Sequence, residues 1–220
     1  MNVLLLKIIA LTTMIIDHYG AIFQSGTEIY RIIGRLAFPI YCFLLVEGYF
    51  HTSNFKKYAI RLLLFAFISE IPFDLAFYNE LGFVHQNIFF TLFIGLITIH
   101  IINDKKTNFK YREIAIVLVS CLLAILLAVD YNVIGIIYIL SFYYTKRFSK
   151  TKRFLSVGLV MFVVNLGAYI LQQFSLLALP IISLYNGKLG PKNKLLQVSF
   201  YAAYPIHLFL FYLIKNHFLF

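Results

Sequence analysis

The run VLLLKIIALTTMIIDHYGAIF, residues 3–23, is apolar over the length of a membrane crossing and carries an Asp-His pair near its far end. About 20 apolar residues are needed to cross the hydrocarbon core as a helix, and this run supplies them. Eight more apolar runs follow, at about 31–50, 58–78, 87–102, 112–129, 131–145, 154–173, 176–186 and 196–215. Those at 131–145 and 176–186 are short, and each reads as a full span, a half-span or a re-entrant piece. Backbone N–H and C=O groups inside lipid must be paired internally, so the pattern predicts an all-α, polytopic bundle of about eight or nine spans. The first run is too long for a signal peptide and lacks a small-residue cleavage site, so it is expected to stay in the mature chain. No linker, low-complexity tract or clear repeat divides residues 1–220, which read as one integral-membrane domain.

Composition points the same way. Of 220 residues, 61% are apolar and 13% charged, and the mean hydropathy is +0.85. A soluble fold of this length has too little interior to hide that much apolar surface. The net charge of +10, from 19 Lys+Arg against 9 Asp+Glu, could suggest nucleic acid. The basic residues instead sit in short loops. Lys56 and Lys57 lie in 51–57; Lys105, Lys106, Lys110 and Arg112 in 103–112; Lys146, Arg147, Lys150, Lys152 and Arg153 in 146–153; and Lys188, Lys192 and Lys194 in 187–195. The alternate connections, 24–30, 79–86, 129–132 and 173–176, are nearly bare of them. By the positive-inside rule the first set is cytoplasmic, and so is the N-terminus. The expectation is a multi-pass protein of a bacterial cytoplasmic membrane whose basic loops touch anionic lipid rather than nucleic acid. Cys42 and Cys121 lie inside apolar runs and suggest neither a disulfide framework nor a metal site.

A charge at bilayer depth costs at least about 2.5–3.5 kcal/mol on insertion scales. This chain nevertheless places Asp17, His18, Arg31, Arg35, Glu47, His51, Arg61, Glu70 and Asp74 in or beside its first three runs, with His85, Gln86 and Asn87 opening the fourth. At ~1.5 Å rise per residue, Asp17 lies about 20 Å from the inner end of its helix and Arg35 roughly 6 Å below the outer end of the next. Asp17, His18, Arg31, Arg35, Glu70 and Asp74 then share one outer layer. Arg31/Arg35 and Glu70/Asp74 are each spaced i,i+4, so a two-base face and a two-acid face can neutralise each other. Asp17 can orient His18 as a base or, since neighbours on a helix diverge by about 100°, contact Arg35 instead. The plain alternative is ion pairs that brace three helices. Pro39, Pro72 and Pro205 free the carbonyls of Arg35, Ile68 and Tyr201, which marks either packing kinks or cavity walls. His207 follows Pro205 in the last run. On the inner side, Tyr185-Asn186-Gly187-Lys188, with Gly190, Lys192 and Lys194, reads as a positive-inside loop or a phosphate-holding turn. Cys42 has no local base and is a poor candidate nucleophile.

Several stretches together resemble the TraX family, named for conjugal F-pilin acetylation. They are Leu6-Lys7-Ile8-Ile9-Ala10 leading to Ile16-Asp17-His18, Arg31 to Pro39, Glu47 to Thr52, Arg61 with Ser69 to Asp74, Gln86 to Thr91, Leu184 to Lys188, and Tyr204 to His207. The stretch 103–175 carries no matching motif. The resemblance implies acetyl transfer to a pilin subunit from acetyl-CoA, and kinship with transmembrane acyltransferases that centre on a membrane-embedded histidine. His18 then becomes the catalytic base with Asp17 as partner, and Arg35 the charge that meets the developing oxyanion. Arg31, Glu47, Glu70, Asp74, Asn87 and His207 would shape the acceptor site. His51, Lys57, Asn186, Lys188 and Lys192 would hold the CoA phosphates from the cytoplasmic side. No metal is expected. Ile-, Phe- and Lys-rich usage is that of a low-GC organism that need not build F pili, so the acceptor stays open among a peptide, a glycan and a lipid headgroup. Two other classes compete. A proton- or ion-coupled transporter also wants intramembrane charges and broken helices, although its two halves would usually match. A non-catalytic assembly factor for a surface structure would explain the helices but not the ionisable layer.

Overall fold

A computed structural model describes residues 1–104, 110–191 and 193–217, and among them the fold is helical with no strand. The helices are α1 (Val3–Phe23), α2 (Glu28–Gly34), α3 (Ala37–His51), α4 (Phe55–Tyr78), α5 (Ile88–Asn103), α6 (Arg112–Leu126), α7 (Asn132–Tyr144), α8 (Lys150–Asn165), a 3₁₀ helix (Ile170–Leu177), α9 (Ala178–Ser183) and α10 (Lys194–His217). Asparagines start three of them. Asn2 accepts from the Leu5 amide, Asn54 from Lys57 and Asn87 from Phe89, each satisfying an orphan donor of a first turn. Asn79, left-handed at φ 60°, ends α4.

Among the described residues three helical segments are long and apolar enough to cross a membrane: Val3–Phe23, α2 and α3 taken together (Glu28–His51), and Lys194–His217. The expectation of about eight or nine full spans is therefore corrected. Ile88–Asn103, Asn132–Tyr144 and Ile170–Ser183 are apolar but shorter. A 13-residue helix such as α7 covers about 20 Å against a core of about 30 Å. The 24-residue α4 has the length, but it carries Lys56, Lys57, Arg61, Glu70 and Asp74. Outward faces are nonetheless apolar. Leu64, Phe67, Ile68 and Ile71 on α4, Leu118 and Leu122 on α6, and Leu155 and Leu159 on α8 are all exposed, as residues facing lipid tails would be.

The second run does not form one kinked helix. It breaks between α2 and α3, and Pro39 falls in the first turn of α3, where a missing N–H costs nothing. Gly34, the last residue of α2, faces Asp17 so closely that a Cβ there would overlap its carboxylate. That close approach lays α2 along α1. α1 also packs on α3 and α10, and α10 on α4. At the opposite end the N-terminus is docked on the 184–188 loop. The Met1 amine donates to the Leu184 carbonyl (2.5 Å), Val3 N to Lys188 O (3.0 Å) and Asn186 N to Met1 O (2.9 Å).

Candidate functional site

Among the described residues two cavities stand out, one toward each end of α1. The first, about 210 Å³, is walled by Asp17 and His18 of α1, Arg31 and Gly34 of α2, Arg35 of the break, Phe73, Phe77 and Tyr78 of α4, and His85, Asp130 and Tyr131 of two loops. Asp17 is 9% exposed. It accepts from Arg31 Nη1 at 2.7 Å and from Arg35 Nη2 at 3.0 Å. Arg35 spends its other donors on the Arg31 carbonyl (Nε, 3.3 Å) and on Gln172 Oε1 (Nη1, 3.2 Å). Gln172 in turn donates to the Tyr138 hydroxyl (3.5 Å), which bonds Asn165 (2.7 Å) and Ser175 (2.8 Å). Arg35 is thus fixed by a buried polar chain. Arg31 engages Asp17 through Nη1 alone, to the carboxylate and the backbone carbonyl. Its Nε and Nη2 stay unpaired among the described residues, so it, rather than Arg35, has donors left to offer. Two guanidiniums on one carboxylate leave the cluster net positive.

Asp17 therefore does not orient His18; the arginine contact weighed in the sequence is the one that forms, from both guanidiniums. The reason is geometric. Neighbouring side chains on α1 diverge, and Gly34 brings the arginines against the Asp17 face. His18 turns the other way. Its Nδ1 lies 2.7 Å from His207 Nε2. The two rings are nearly parallel, 10° apart, with centroids 5.0 Å apart, and they meet edge to edge through the two nitrogens. Phe77 and Tyr204 close on His18 edge-on at 5.4 and 5.7 Å. His207, 7% exposed, stands behind His18 and is no part of the cavity wall.

The two-acid face also fails to meet the two-base face. Glu70 accepts from the Asn87 side chain and from its amide (3.3 Å). Asp74 accepts from Gly82 N (3.0 Å). Both carboxylates tie α4 to the following loop, and Glu70, Asp74 and Asn87 lie off the cavity wall. At the mouth, His85 Nε2 is 3.6 Å from Asp130 Oδ1. The Asp130 carboxylate raises the His85 pKa above its ordinary value, chiefly by hydrogen bonding to the charged ring.

The second cavity, about 940 Å³, lies at the N-terminal end of α1 and is walled by Lys7, Glu47, His51, Lys57, Arg61 and Lys194 among others. Glu47, the acid of that wall, is 2% exposed and already paired with Lys146 and, at 3.7 Å, with Arg153. It sits with the inner group and not with the acceptor residues. Arg61 lies over the rings of Tyr58 (5.5 Å) and Tyr201 (5.1 Å), and its Nε is buried without a hydrogen-bond partner. Among the described residues neither Lys7 nor Arg61 has a carboxylate within salt-bridge distance. His51 and Lys57 are on this wall as grouped in the sequence. Asn186 and Lys188 are not, because their loop holds the N-terminus, and Lys192 lies outside the described residues, as do Lys105 and Lys106. Met14, Tyr41, Ile88 and Tyr204 line both cavities, so a thin partition separates them. Among the described residues no group of three His, Cys, Asp or Glu side chains is placed to hold a metal.

Sequence reasoning named Lys194 in the phosphate-holding turn and His85 among the ionisable groups, but gave His85, Lys7, Arg61, Asp130 and Gln172 no role in a site. Lys7 and Arg61 had a signal, each being a lone cation within an apolar run. Gln172 had none, since its partner Arg35 lies 137 residues away.

Helices of membrane-crossing length, with charged cavities between them, define an all-helical membrane protein. The chain belongs to the TraX protein family, whose model matches residues 3–215. It is 32% identical over 227 aligned residues to a protein of Dichelobacter nodosus described as "Probable fimbrial assembly protein FimC, serogroup H1", covering 92% of this chain and 91% of that one. An uncharacterised protein of Rickettsia prowazekii (strain Madrid E) is 31% identical over 119 residues, 54% of this chain and 45% of its own length. No solved structure matches.

Proposed function

We propose that the chain is a multi-pass acetyltransferase of the cytoplasmic membrane that moves an acetyl group from acetyl-CoA to a pilin-like peptide or another envelope acceptor. The observation that carries the reading is the pair of cavities on one partition: a basic one and one holding a histidine. Lys7, Lys57, Arg61 and Lys194 line the first with a single, already neutralised acid. Uncompensated cations on a cavity call for an anionic ligand, and CoA brings phosphates. Lys7 and His18 are eleven residues apart on α1, about 16 Å along the axis. A donor spanning them must be long, as the pantetheine arm of CoA is.

On this reading the basic cavity faces the cytoplasm, in keeping with the basic loops around it, and the N-terminus is inside. The acceptor enters the other cavity. His18 removes its proton. Arg31, with donors to spare, meets the developing oxyanion. The shorter helices complete the passage through the bilayer with the three long ones. The family's link to pilin acetylation supports the acetyl group. The name of the Dichelobacter relative favours a second reading, a non-catalytic part in assembling a pilus.

Two measurements together separate the readings. Acetyl-CoA or CoA added to the purified chain in detergent should raise its melting temperature, because a ligand bound only by the folded state stabilises it. Arg61→Gln should shrink that rise. Mass spectrometry of envelope peptides and glycans, with and without the chain, should show the gain of one acetyl group. No thermal shift and no acetylated product would leave assembly as the better account.

A further inference from the structure

We infer that His207 is a positioning residue that fixes the tautomer of His18, so that His18 Nε2 is the nitrogen presented to substrate. The inference rests on the acetyltransferase reading for its chemistry, but its geometry stands alone. His207 Nδ1 lies 2.7 Å from the Ala203 carbonyl, one turn earlier on α10. A carbonyl oxygen only accepts, so Nδ1 carries the hydrogen. A neutral imidazole has one donor and one acceptor nitrogen, which makes His207 Nε2 an acceptor. Nε2 in turn lies 2.7 Å from His18 Nδ1. His18 Nδ1 must then be the donor, and its Nε2 bears the lone pair. Nε2 has no protein partner among the described residues, and the His18 ring lines the cavity.

The arrangement takes the place of the carboxylate that orients a catalytic histidine in many hydrolases. Among the described residues no carboxylate pairs with His18: Asp17 is claimed by Arg31 and Arg35, and Asp130 faces His85. His207 does not touch the cavity, so its effect runs through His18. In the transfer step the acceptor N–H or O–H bond breaks and its proton passes to His18 Nε2. The acceptor atom bonds the thioester carbonyl carbon. The C–S bond then breaks with its electron pair on sulfur, and the CoA thiolate recovers the proton from Nε2. Throughout, His18 Nδ1–H stays donated to His207, which keeps the ring aimed and spreads the positive charge it acquires.

The test is ¹⁵N spectroscopy of histidine-labelled full chain reconstituted in lipid. In the wild type, His18 is expected as the Nδ1–H tautomer with a bare Nε2. His18 protonated on Nε2 in the wild type overturns the inference, and no variant has to fold for that result. His207→Leu should move His18 toward the Nε2–H form. In the transfer assay His207→Leu should lower kcat by about a hundredfold with the acetyl-CoA KM unchanged. His207→Gln, whose amide oxygen can replace Nε2 as acceptor, should recover about tenfold of that loss. Equal losses in the Leu and Gln variants would overturn the positioning role. A wild type that transfers no acetyl group would sink the function proposed above and leave the tautomer result to be judged by itself.

Discussion

At the scale of single residues, the buried carboxylates are the groups that find partners. Asp17 neutralises one arginine of two, Glu47 takes Lys146 and Arg153, and Glu70 accepts from Asn87. Removing one member of such a buried pair typically costs about 3–5 kcal/mol, because the other is left uncompensated. The His85–Asp130 pair differs, since both side chains are about a third exposed and the energy is correspondingly smaller. Its sign is still definite. Asp130 raises the pKa of His85 in the folded state. The pair's stabilisation is therefore fully present below the unfolded pKa of about 6.5 and fades as pH rises through the folded value. His85→Gln should lower the melting temperature more at about pH 6 than at about pH 8. An equal drop at both would mean that the ring is not charged where it meets Asp130. The sequence showed that ionisable groups crowd the first three apolar runs, but not which partner each chooses. Asp17 beside His18 is a chain neighbour, whereas His207 is 189 residues away. The choice is made by the approach of helices, which no local pattern encodes.

At the scale of elements, that approach depends on Gly34. It closes α2 against α1 and lets both guanidiniums reach Asp17. The apolar run 31–50 read as one helix, because periodicity registers hydrophobic length and passes over a break of two residues. The break becomes legible only in hindsight, from Gly34 before it and Pro39 at a position that suits a first turn. A side chain at residue 34 would have to displace a carboxylate held by two arginines. Gly34→Val should therefore destabilise by several kcal/mol, with detachment of α2 and loss of the outer cavity. Gly26, in the loop just before α2, has nothing within 4 Å of an added Cβ. Gly26→Ala should stay within about 0.5 kcal/mol of the wild type. Thermal unfolding of both variants in one detergent is the comparison. A neutral Gly34→Val would show that α2 is not seated by this contact. The short elements were harder to read: a hydropathy walk leaves the runs at 131–145 and 176–186 open as full spans, half-spans or re-entrant pieces, and only the fold gives α7 and the 3₁₀–α9 segment their length.

At the scale of the molecule, the charge asymmetry of the loops and the two cavities coincide. The basic loops at 51–57 and 187–195 supply the walls of the large cavity. The loops at 79–86 and 129–132, nearly bare of Lys and Arg, supply His85, Asp130 and Tyr131 to the small one. Sequence alone grouped those loops by charge, without knowing that two loops of each group meet at a cavity of their own. If the positive-inside rule holds here, the two cavities open to opposite sides of one membrane. The partition of Met14, Tyr41, Ile88 and Tyr204 is then where a group would cross. Single cysteines test this directly, in a background where Cys42 and Cys121 are replaced by Ala. Ser53→Cys, on the large cavity, should react with an impermeant maleimide only when the cytoplasmic face is open. Cysteine placed at Glu80, in the loop beside the small cavity, should react in intact cells. Both sites are exposed, so neither substitution disturbs packing. Labelling of both from one side would put both mouths in one compartment. Donor and acceptor would then have to meet without crossing the bilayer, and transfer across a membrane partition would have to be abandoned even if acetyl transfer itself were found.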